Sequence, residues 1–184
     1  MKIEEVLEKT KNVHALSTDE EKKTFYKYAS KVPDMGTIVD IGTCAGGSAF
    51  IFALASKPSV NVVTIDPAEN SSFIENLKVL DNEKKIIYIK DISESAVKKF
   101  AGDIDLIFID GVHSYRGVKN DFTWFKPFMN KDTIIMFHDY YLYKNKIGKA
   151  IDELVDTGEI EKIEIIDSLY KGSVRTGLFI SKLK

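Results

Sequence analysis

Beyond Pro33, short apolar runs alternate with longer amphipathic stretches, and this alternation constrains the fold more than any other feature of the sequence. Several runs are continuously apolar, which is typical of strands covered on both faces of a sheet. Alternating strands and helices predict an α/β fold with a parallel sheet and right-handed crossovers. The predicted strands are Thr37–Ile41, Val60–Ile65, Lys85–Ile89, Asp105–Ile109 and Thr133–Phe137. The predicted helices are Ser48–Lys57, Ser71–Leu80, Glu94–Phe100, Tyr115–Phe128 and Ile147–Thr157.

The two ends of the chain follow different patterns. Before Pro33 the apolar spacing predicts two helices, and Thr18 with Glu21 three residues later forms a capping box at the start of the second helix. After the alternating region, two strand patterns are separated by a turn-like segment, which predicts an antiparallel hairpin at one sheet edge. The predicted helices are Ile3–Val13 and Thr18–Ser30, and the predicted hairpin strands are Glu159–Ile166 and Arg175–Ser181.

Length and charge limit the class of protein. With 184 residues we expect one domain, in which residues 1–32 hold the N-terminal helices and residues 36–184 form the core. The net charge of −2 argues against a basic surface for nucleic acid. No apolar run is long enough for a membrane span, the first residues lack the pattern of a secretory signal, and the single cysteine cannot form an internal disulfide. We therefore expect a cytoplasmic protein with neither a nucleic-acid nor a membrane partner.

A glycine-rich turn joins the first predicted strand to the helix that follows it. Glycines allow the backbone to approach a ligand closely, and the first turn of a helix has free N–H groups. Asp66, at the end of the second strand and 20 residues after Gly46, is placed to accept both ribose hydroxyls of an adenosine ligand. The candidate cofactor-binding residues here are Asp40, Gly42, Thr43, Gly46, Gly47, Ser48 and Asp66.

Two adenosine ligands compete for this turn, NAD and S-adenosylmethionine. Cys44 occupies the place where a dinucleotide site has its second glycine, which lets the backbone meet the pyrophosphate. Asp40 would repel that pyrophosphate, whereas it would attract the sulfonium and ammonium groups of S-adenosylmethionine. Both residues favour S-adenosylmethionine, and an NAD-dependent enzyme is the alternative.

Asp91 follows the third predicted strand and is a further candidate for the cofactor. Ligands of open α/β sheets collect at the carboxyl ends of the strands. Asp91 could accept a hydrogen bond from an adenine amino group while Ile92 packs against the ring. The alternative is structural, because Asp91 or Ser93 could cap the helix that follows.

Acidic and histidine side chains follow the fourth and fifth predicted strands. Asp110 and His113 come after the fourth, and His138 and Asp139 after the fifth, so two of the three histidines should meet at one edge of the sheet. Asp110, His138 and Asp139 could hold a divalent cation, such as magnesium, that orients and acidifies a substrate hydroxyl. His113 could be a general base, alone or beside the metal. Asp110 could instead bind the ammonium of the cofactor.

Four stretches carry a family resemblance: VDIGTCAGGSAF, VVTIDP, DLIFIDGVHSYRGVKNDFTWF and TIIMFHDYY. Together they resemble class I methyltransferases, and most closely the methyltransferase family 24 type, which includes metal-dependent O-methyltransferases acting on sugars and natural products. The likeness covers residues 36–141 by motif. It implies a Rossmann-like sheet of order 3-2-1-4-5-7-6 with an antiparallel seventh strand. The implied contacts with S-adenosylmethionine are Asp40, Gly42, Gly46, Asp66 and Asp91.

The resemblance also bears on the chemistry at the sheet edge. The magnesium positions of catechol-type relatives match Asp110, His138 and Asp139, and their catalytic lysine stands where this chain has His113. A histidine at position 138 departs from the second acid of those relatives and points to softer metals or to none. Residues 130–132 replace the glycine pair that commonly precedes the fifth strand, which we expect to change only a loop.

The expected function is O-methylation of a small hydroxylated acceptor, with His113 as base and Asp110 beside it. A module that binds S-adenosylmethionine without transferring its methyl group is an alternative. A homo-oligomer, in which a second subunit completes a shallow acceptor pocket, also stays open. Among the aromatic residues, Trp124, Phe122, Phe125 and Phe128 are expected in the core.

Overall fold

A computed structural model of the chain describes residues 1–68, 70–80 and 86–184. In these residues the main sheet has seven strands: β1 Thr37–Ile41, β2 Asn61–Ile65, β3 Ile86–Ile89, β4 Ile104–Ile109, β5 Met129–Phe137, β6 Ile160–Ile166 and β9 Leu178–Leu183. Their order in the sheet is β3-β2-β1-β4-β5-β9-β6. Strands β1 to β5 pair in parallel, and β9 lies antiparallel between β5 and β6. The predicted α/β fold and strand order are confirmed, with β9 as the seventh strand of the sheet.

The link between β6 and β9 contains a second, smaller hairpin. Strands β7 (Leu169–Tyr170) and β8 (Val174–Arg175) pair only with each other. The prediction that the last strand begins at Arg175 is therefore wrong by three residues. Arg175 pairs with Leu169 across the small hairpin, and Gly177, at φ 157°, separates it from β9.

Seven α-helices surround the sheet within the described residues. They are α1 Ile3–Thr10, α2 Asp19–Ala29, α3 Gly47–Ala55, α4 Ser71–Asn76, α5 Ser93–Ala96, α6 Tyr115–Phe125 and α7 Lys149–Asp156. The capping box is confirmed, because the Thr18 side chain accepts from the Glu21 N–H at 3.2 Å and the Thr18 N–H donates to Glu21 Oε2 at 2.8 Å. Most helices are shorter than predicted, since α4, α5 and α6 each end in a tighter 3₁₀ turn.

β5 begins earlier than the apolar pattern predicts. Its first residue is Met129, which pairs with Ile104, and the pairing then shifts so that Ile134 meets Leu106. The Thr133 hydroxyl donates to the Ile104 carbonyl at 2.6 Å and closes this irregular stretch. The expected loop at residues 130–132 is therefore part of a bulged strand. Lys85, the first residue of the predicted third strand, lies outside the described residues.

Apolar side chains fill both faces of the sheet. On the face covered by α1, α2 and α3, Phe25 packs edge-on against Phe52 and Phe108, with ring centroids 5.3 and 4.9 Å apart. On the other face, Phe122 and Phe125 of α6 are fully buried, as predicted. Trp124 and Phe128 pack against that second core only partly buried. In the part of the chain that the structure describes, no helix combines the length and apolar character that crossing a membrane requires.

The turn after β1 approaches the end of β4 very closely. The Gly42 N–H donates to the Ile65 carbonyl at 2.9 Å, and the Asp110 N–H donates to the Ile41 carbonyl at 2.9 Å. A Cβ atom at Gly42 would lie 2.2 Å from the Asp110 carbonyl oxygen. Glycine at this position therefore keeps the ends of β1 and β4 together, where the functional side chains collect.

We expect Gly42→Ala to lower the free energy of unfolding by about 3 kcal/mol or more, since a backbone atom would have to move. Gly102→Ala is the matched control: its φ of 98° is close to the 104° of Gly42, but nothing lies within 4 Å of an added Cβ. Left-handed strain alone should make that control cost about 1–2 kcal/mol. Urea denaturation measures both, and equal losses would contradict the close-approach explanation.

Candidate functional site

A cavity of about 380 Å³ opens at the carboxyl ends of the parallel strands. Its wall is built by the segments that follow β1, β2, β3 and β4, which is where an open α/β sheet binds its ligands. Of the residues that the sequence analysis selected, those lining it are Gly42, Asp66, Asp91, Ile92, Asp110 and His113.

Two of these acids are held in place by local hydrogen bonds. Asp66 Oδ2 accepts from the Cys44 N–H at 3.0 Å and Oδ1 accepts from the Ala68 N–H at 2.8 Å. Asp91 accepts from the Ile92 N–H at 2.9 Å and from Lys99 Nζ at 2.9 Å, and the Lys99 hydrogen bond lowers the pKa of Asp91. The N-cap of α5 is Ile92, without a side-chain cap, so neither Asp91 nor Ser93 has the capping role considered for it.

Asp40 lies beneath the glycine-rich turn rather than in the cavity wall. It is fully buried, and its two oxygens accept hydrogen bonds from the Ser48 hydroxyl at 2.8 Å and the Thr64 hydroxyl at 2.6 Å. Burial raises the pKa of Asp40 to about 7, and the charges of Asp110 and Asp66 act in the same direction. Asp40 thus ties together β1, β2 and α3, and any ligand would feel it through Ser48 and the turn.

A smaller cavity of about 60 Å³ adjoins the first, beside Asp110. Thr43, Gly47 and Ser48 line it, opposite the segment 14–17 that connects α1 to α2. A Cβ atom at Gly47 would lie 2.5 Å from the Ala15 Cβ, so the N-terminal segment packs directly on the start of α3. Gly46 lines neither cavity; it is the N-cap of α3 at φ 91°.

Asp110, His113 and Asp139 form the group best arranged for a metal among the described residues. One ligand atom from each lies within 4.8 Å of the others. His113 Nε2 is 3.3 Å from Asp110 Oδ1 and 3.8 Å from Asp139 Oδ2. Two carboxylate oxygens and an imidazole nitrogen are a reasonable donor set for a divalent cation. The expected set was Asp110, His138 and Asp139, so the two sets differ in which histidine they contain.

His138 lies behind this group, with carboxylates at both ring nitrogens. Its side chain is 3% exposed; Nδ1 lies 3.3 Å from Asp110 Oδ1 and 3.4 Å from Asp139 Oδ1, and Nε2 lies 3.5 Å from Glu21 Oε2. Burial alone would lower the pKa of His138, but Asp110, Glu21 and Asp139 together raise it well above 6.5. A protonated imidazole donates hydrogen bonds and cannot ligate a metal.

Glu21 is a member of the cluster that the sequence analysis missed. It is fully buried; Oε1 accepts from the Ser168 hydroxyl at 3.0 Å and the Thr176 hydroxyl at 2.9 Å, while Oε2 faces His138. Burial would raise the pKa of Glu21, but the charge of His138 lowers it, and the 3.5 Å contact between them is an ion pair rather than a hydrogen bond. The capping box already explained a glutamate at this position, so no local pattern indicated a second role.

His113 is the accessible imidazole of the cluster. Its side chain is 39% exposed, and the hydrogen bond to Asp110 is the largest cause of its raised pKa. The ring packs on Tyr143, with centroids 5.0 Å apart. The neighbouring tyrosines serve elsewhere: Tyr140 bonds to Asp152, and Tyr141 stacks under Arg175. A hydroxyl bound beside Tyr143 would meet an imidazole already paired with a carboxylate.

Asp121 is a second site residue that the sequence analysis missed. It lines the main cavity from α6 and is 4% exposed. Burial raises the pKa of Asp121 to about 6, against the opposing hydrogen bond from the Ser93 hydroxyl. The signal was present, because a charged residue stood between Val118 and Phe122 on the apolar face of α6.

The sheet order and the cavity at the ends of its parallel strands define a class I methyltransferase fold. The family model described as a methyltransferase domain, of the family 24 type, matches residues 39–140. The chain belongs to this methyltransferase family. The match spans the glycine-rich turn, Asp66, Asp91 and the Asp110–Asp139 cluster.

One curated relative and several solved structures are similar to the chain. An uncharacterised protein, R132 of Acanthamoeba polyphaga mimivirus, is 31% identical over an alignment of 134 residues. The alignment covers 65% of this chain and 59% of that protein. An O-methyltransferase from Bacillus cereus in complex with SAH has a TM-score of 0.76 at 16% identity, covering 99% of this chain and 90% of that one.

Two further structures share the fold at low identity. The O-methyltransferase TomG of Streptomyces achromogenes, in complex with SAM, has a TM-score of 0.74 at 14% identity and covers 99% of this chain and 89% of that one. An rRNA methylase from Streptococcus thermophilus has a TM-score of 0.69 at 12% identity, covering 92% and 99%. O-methyltransferases and an rRNA methylase share this fold, so the fold alone does not identify the methyl acceptor.

We expect Glu21→Gln to lower the free energy of unfolding by about 3 kcal/mol, because it leaves the buried His138 cation facing a neutral amide. Glu164→Gln is the control, since Glu164 pairs with Lys27 at a more exposed site and should lose about 1 kcal/mol or less. Thermal or urea unfolding measures both, and equal losses would contradict a buried ion pair.

The same variant should show a defined pH dependence. Glu21 has a lowered pKa, so its contribution is present above its ordinary value of 4.5 and is lost as pH falls through the lowered pKa. His138 has a raised pKa, so its contribution is present below its ordinary value of 6.5 and is lost as pH rises through the raised pKa. The stability gap between wild type and Glu21→Gln should therefore be largest between pH 4.5 and 6.5.

Proposed function

We propose that the protein transfers a methyl group from S-adenosylmethionine to a hydroxyl oxygen of a small acceptor. The observation that carries this proposal is the His113–Asp110 pair, 3.3 Å apart, at the wall of the adenosine-sized cavity. A nucleophilic oxygen needs a base at that place, and a cofactor-binding domain without transfer does not. Membership of the methyltransferase family and the O-methyltransferase neighbours support the same assignment.

The cofactor fits the two cavities in a definite orientation. Asp66, fixed by two backbone N–H groups, accepts the ribose hydroxyls, and Asp91 and Ile92 lie on the adenine side. Thr43 and Ser48, in the smaller cavity beside Asp110, receive the amino-acid end. Asp110 and His113 then stand where the two cavities meet, which is the place for the methyl group.

S-adenosylmethionine supplies a methyl group made electrophilic by its positively charged sulfur. His113 Nε2–H donates to Asp110, which leaves Nδ1 to remove the proton from the acceptor hydroxyl, and Asp110 stabilises the imidazolium that results. The acceptor oxygen bonds to the methyl carbon as the carbon–sulfur bond breaks, which gives a methyl ether and S-adenosylhomocysteine. The tilted stack with Tyr143 fixes the plane of the His113 ring, and positioning of this kind supplies much of the rate.

A divalent cation is a second part of the proposal, because the donor atoms of Asp110, His113 and Asp139 converge within 4.8 Å. A cation held there would lower the pKa of an acceptor hydroxyl. A cation bound to His113 Nε2 would replace the proton that Nε2 shares with Asp110 and would make Nδ1 a poor base. A metal site with His113 as base therefore depends on Asp110 and Asp139, backed by His138.

The acceptor that fits best is a small hydroxylated molecule. The segments that face the cluster, residues 14–17 and the loop with Tyr143, offer polar and aromatic surface of limited extent. An RNA acceptor would need a basic surface for its phosphates, and the chain has a net charge of −2.

Calorimetric titration with S-adenosylhomocysteine tests the cofactor. We expect wild type to bind with a dissociation constant of about 1–100 μM and Asp66→Asn to bind at least about tenfold more weakly, since an amide cannot accept from both ribose hydroxyls as a carboxylate does. Asp34→Asn, which removes an exposed acid paired with Lys57, is the control and should bind like wild type. Enhanced binding with magnesium supports the cation site, and no binding in any condition refutes the proposal.

Release of S-adenosylhomocysteine in the presence of a panel of catechols and glycosides tests the base. We expect His113→Gln to lower kcat by about 10²–10⁴-fold while cofactor affinity stays unchanged, and Asp34→Asn, at an exposed acid paired with Lys57, to leave both unchanged. Because only neutral imidazole accepts a proton, the wild-type rate should rise with pH through the raised pKa of His113, and this rise should vanish in His113→Gln. A full rate in that variant would show that His113 is not the base.

A further inference from the structure

The carboxylate of Asp121 has no role in the reaction described above, yet one of its two oxygens lacks a hydrogen-bond donor among the described residues. Oδ1 accepts a hydrogen bond from the Ser93 hydroxyl. Within residues 1–68, 70–80 and 86–184, no donor is bonded to Oδ2. Because the residue as a whole is only 4% exposed, this oxygen has little access to water and a donor beside it is favoured. Since Asp121 lines the cavity, a ligand can supply that donor.

The position of Asp121 defines which part of a ligand it would meet. Ser93 follows β3, whereas Gly111 follows β4, and these strands lie three places apart in the sheet order. A Cβ atom at Gly111 would lie 3.2 Å from Asp121 Oδ2 and 3.1 Å from Ile41 Cγ2. Oδ2 therefore lies beside the backbone that follows β4, in the part of the cavity wall that also contains the Asp91–Ser93 segment.

We propose that Asp121 recognises the adenine ring of the cofactor, with Oδ2 accepting a hydrogen bond from the exocyclic amino group. This inference rests on the proposed function, because it assumes that S-adenosylmethionine occupies the main cavity. The hydroxyl of Ser93 fixes the carboxylate so that its free oxygen meets the ligand. A 6-oxo purine presents an acceptor at the same place, so the pair of oxygens would repel each other.

Asp91, the acid expected from the sequence to bind this amino group, is less suited to it. Both of its oxygens already have partners, the Ile92 N–H and Lys99 Nζ, and its side chain is 27% exposed. An amino group bonded there competes with a lysine and with water. Asp121 has one free oxygen and little access to solvent, so replacing the amino group of the ligand by oxygen should change the binding affinity more at Asp121 than at Asp91.

The test compares S-adenosylhomocysteine with S-inosylhomocysteine, in which oxygen replaces the amino group, by calorimetric titration. Wild type should prefer the amino ligand by about tenfold or more. Asp121→Asn should lose most of that preference, because its amide can turn and donate to the 6-oxygen. Asp91→Asn is the matched control and should keep the wild-type preference. A loss of stability in Asp121→Asn alone would not change this ratio, which separates recognition from support of the fold.

Each outcome decides the inference. A preference that persists in Asp121→Asn, or that disappears in Asp91→Asn instead, overturns the role of Asp121 and leaves the proposed function standing. Failure of wild type to bind either ligand overturns both. Should Asp121→Asn not fold, Ser93→Ala carries the test, since it releases Oδ1 and lets the carboxylate turn; an unchanged preference in that variant overturns the inference.

Discussion

The buried contact between Glu21 and His138 connects the parts of the molecule that the site needs. Glu21 belongs to α2, His138 follows β5, and the Ser168 and Thr176 hydroxyls that bond to Glu21 come from the link between β6 and β9. One ion pair thus joins an N-terminal helix, the central sheet and the C-terminal hairpin. His138 Nδ1 in turn lies 3.3 Å from Asp110 Oδ1, so the position of His138 restricts that of Asp110. The orientation of Asp110, which pairs with His113, therefore depends on elements far from it in the sequence.

Beneath the glycine-rich turn, Asp40 likewise connects separate elements through buried polar contacts. A carboxylate buried without a cation is costly, and two neutral hydroxyls together with a pKa of about 7 reduce that cost. Because Ser48 begins α3 and Thr64 lies in β2, their bonds to Asp40 set the distance between the turn and the neighbouring strand. The narrow turn leaves room only for glycine at position 42. The hydrogen bonds of Asp40 and the close approach of the Asp110 backbone to Gly42 thus together determine the shape of the turn.

Local sequence patterns predicted most of the fold, whereas contacts between residues distant in the sequence could not be predicted from such patterns. The apolar runs identified the strands of the parallel sheet, and Thr18 with Glu21 identified the start of α2, because both depend on neighbours in the sequence. The start of β5 was missed, since only its pairing with Ile104 makes residues 129–132 a strand. Glu21 and Asp121 were missed for the same reason: a buried acid is recognised by its partners, His138 and Ser93, which lie 117 and 28 residues away.

The proposed function requires one cavity to serve both a cationic cofactor and a base, and the charges of the site are compatible with both. Asp110 and Asp139 face His113 on the open side and His138 on the buried side, and Glu21 completes the row. Asp110, Glu21 and Asp139 together raise the pKa of His138 against the effect of burial, and the resulting cation offsets part of their negative charge. Under the proposed function, Asp110 would then stay ionised beside His113 whether or not His113 has taken up a proton. Glu21, which lies farthest from the acceptor in that proposal, thus acts on Asp110 through His138.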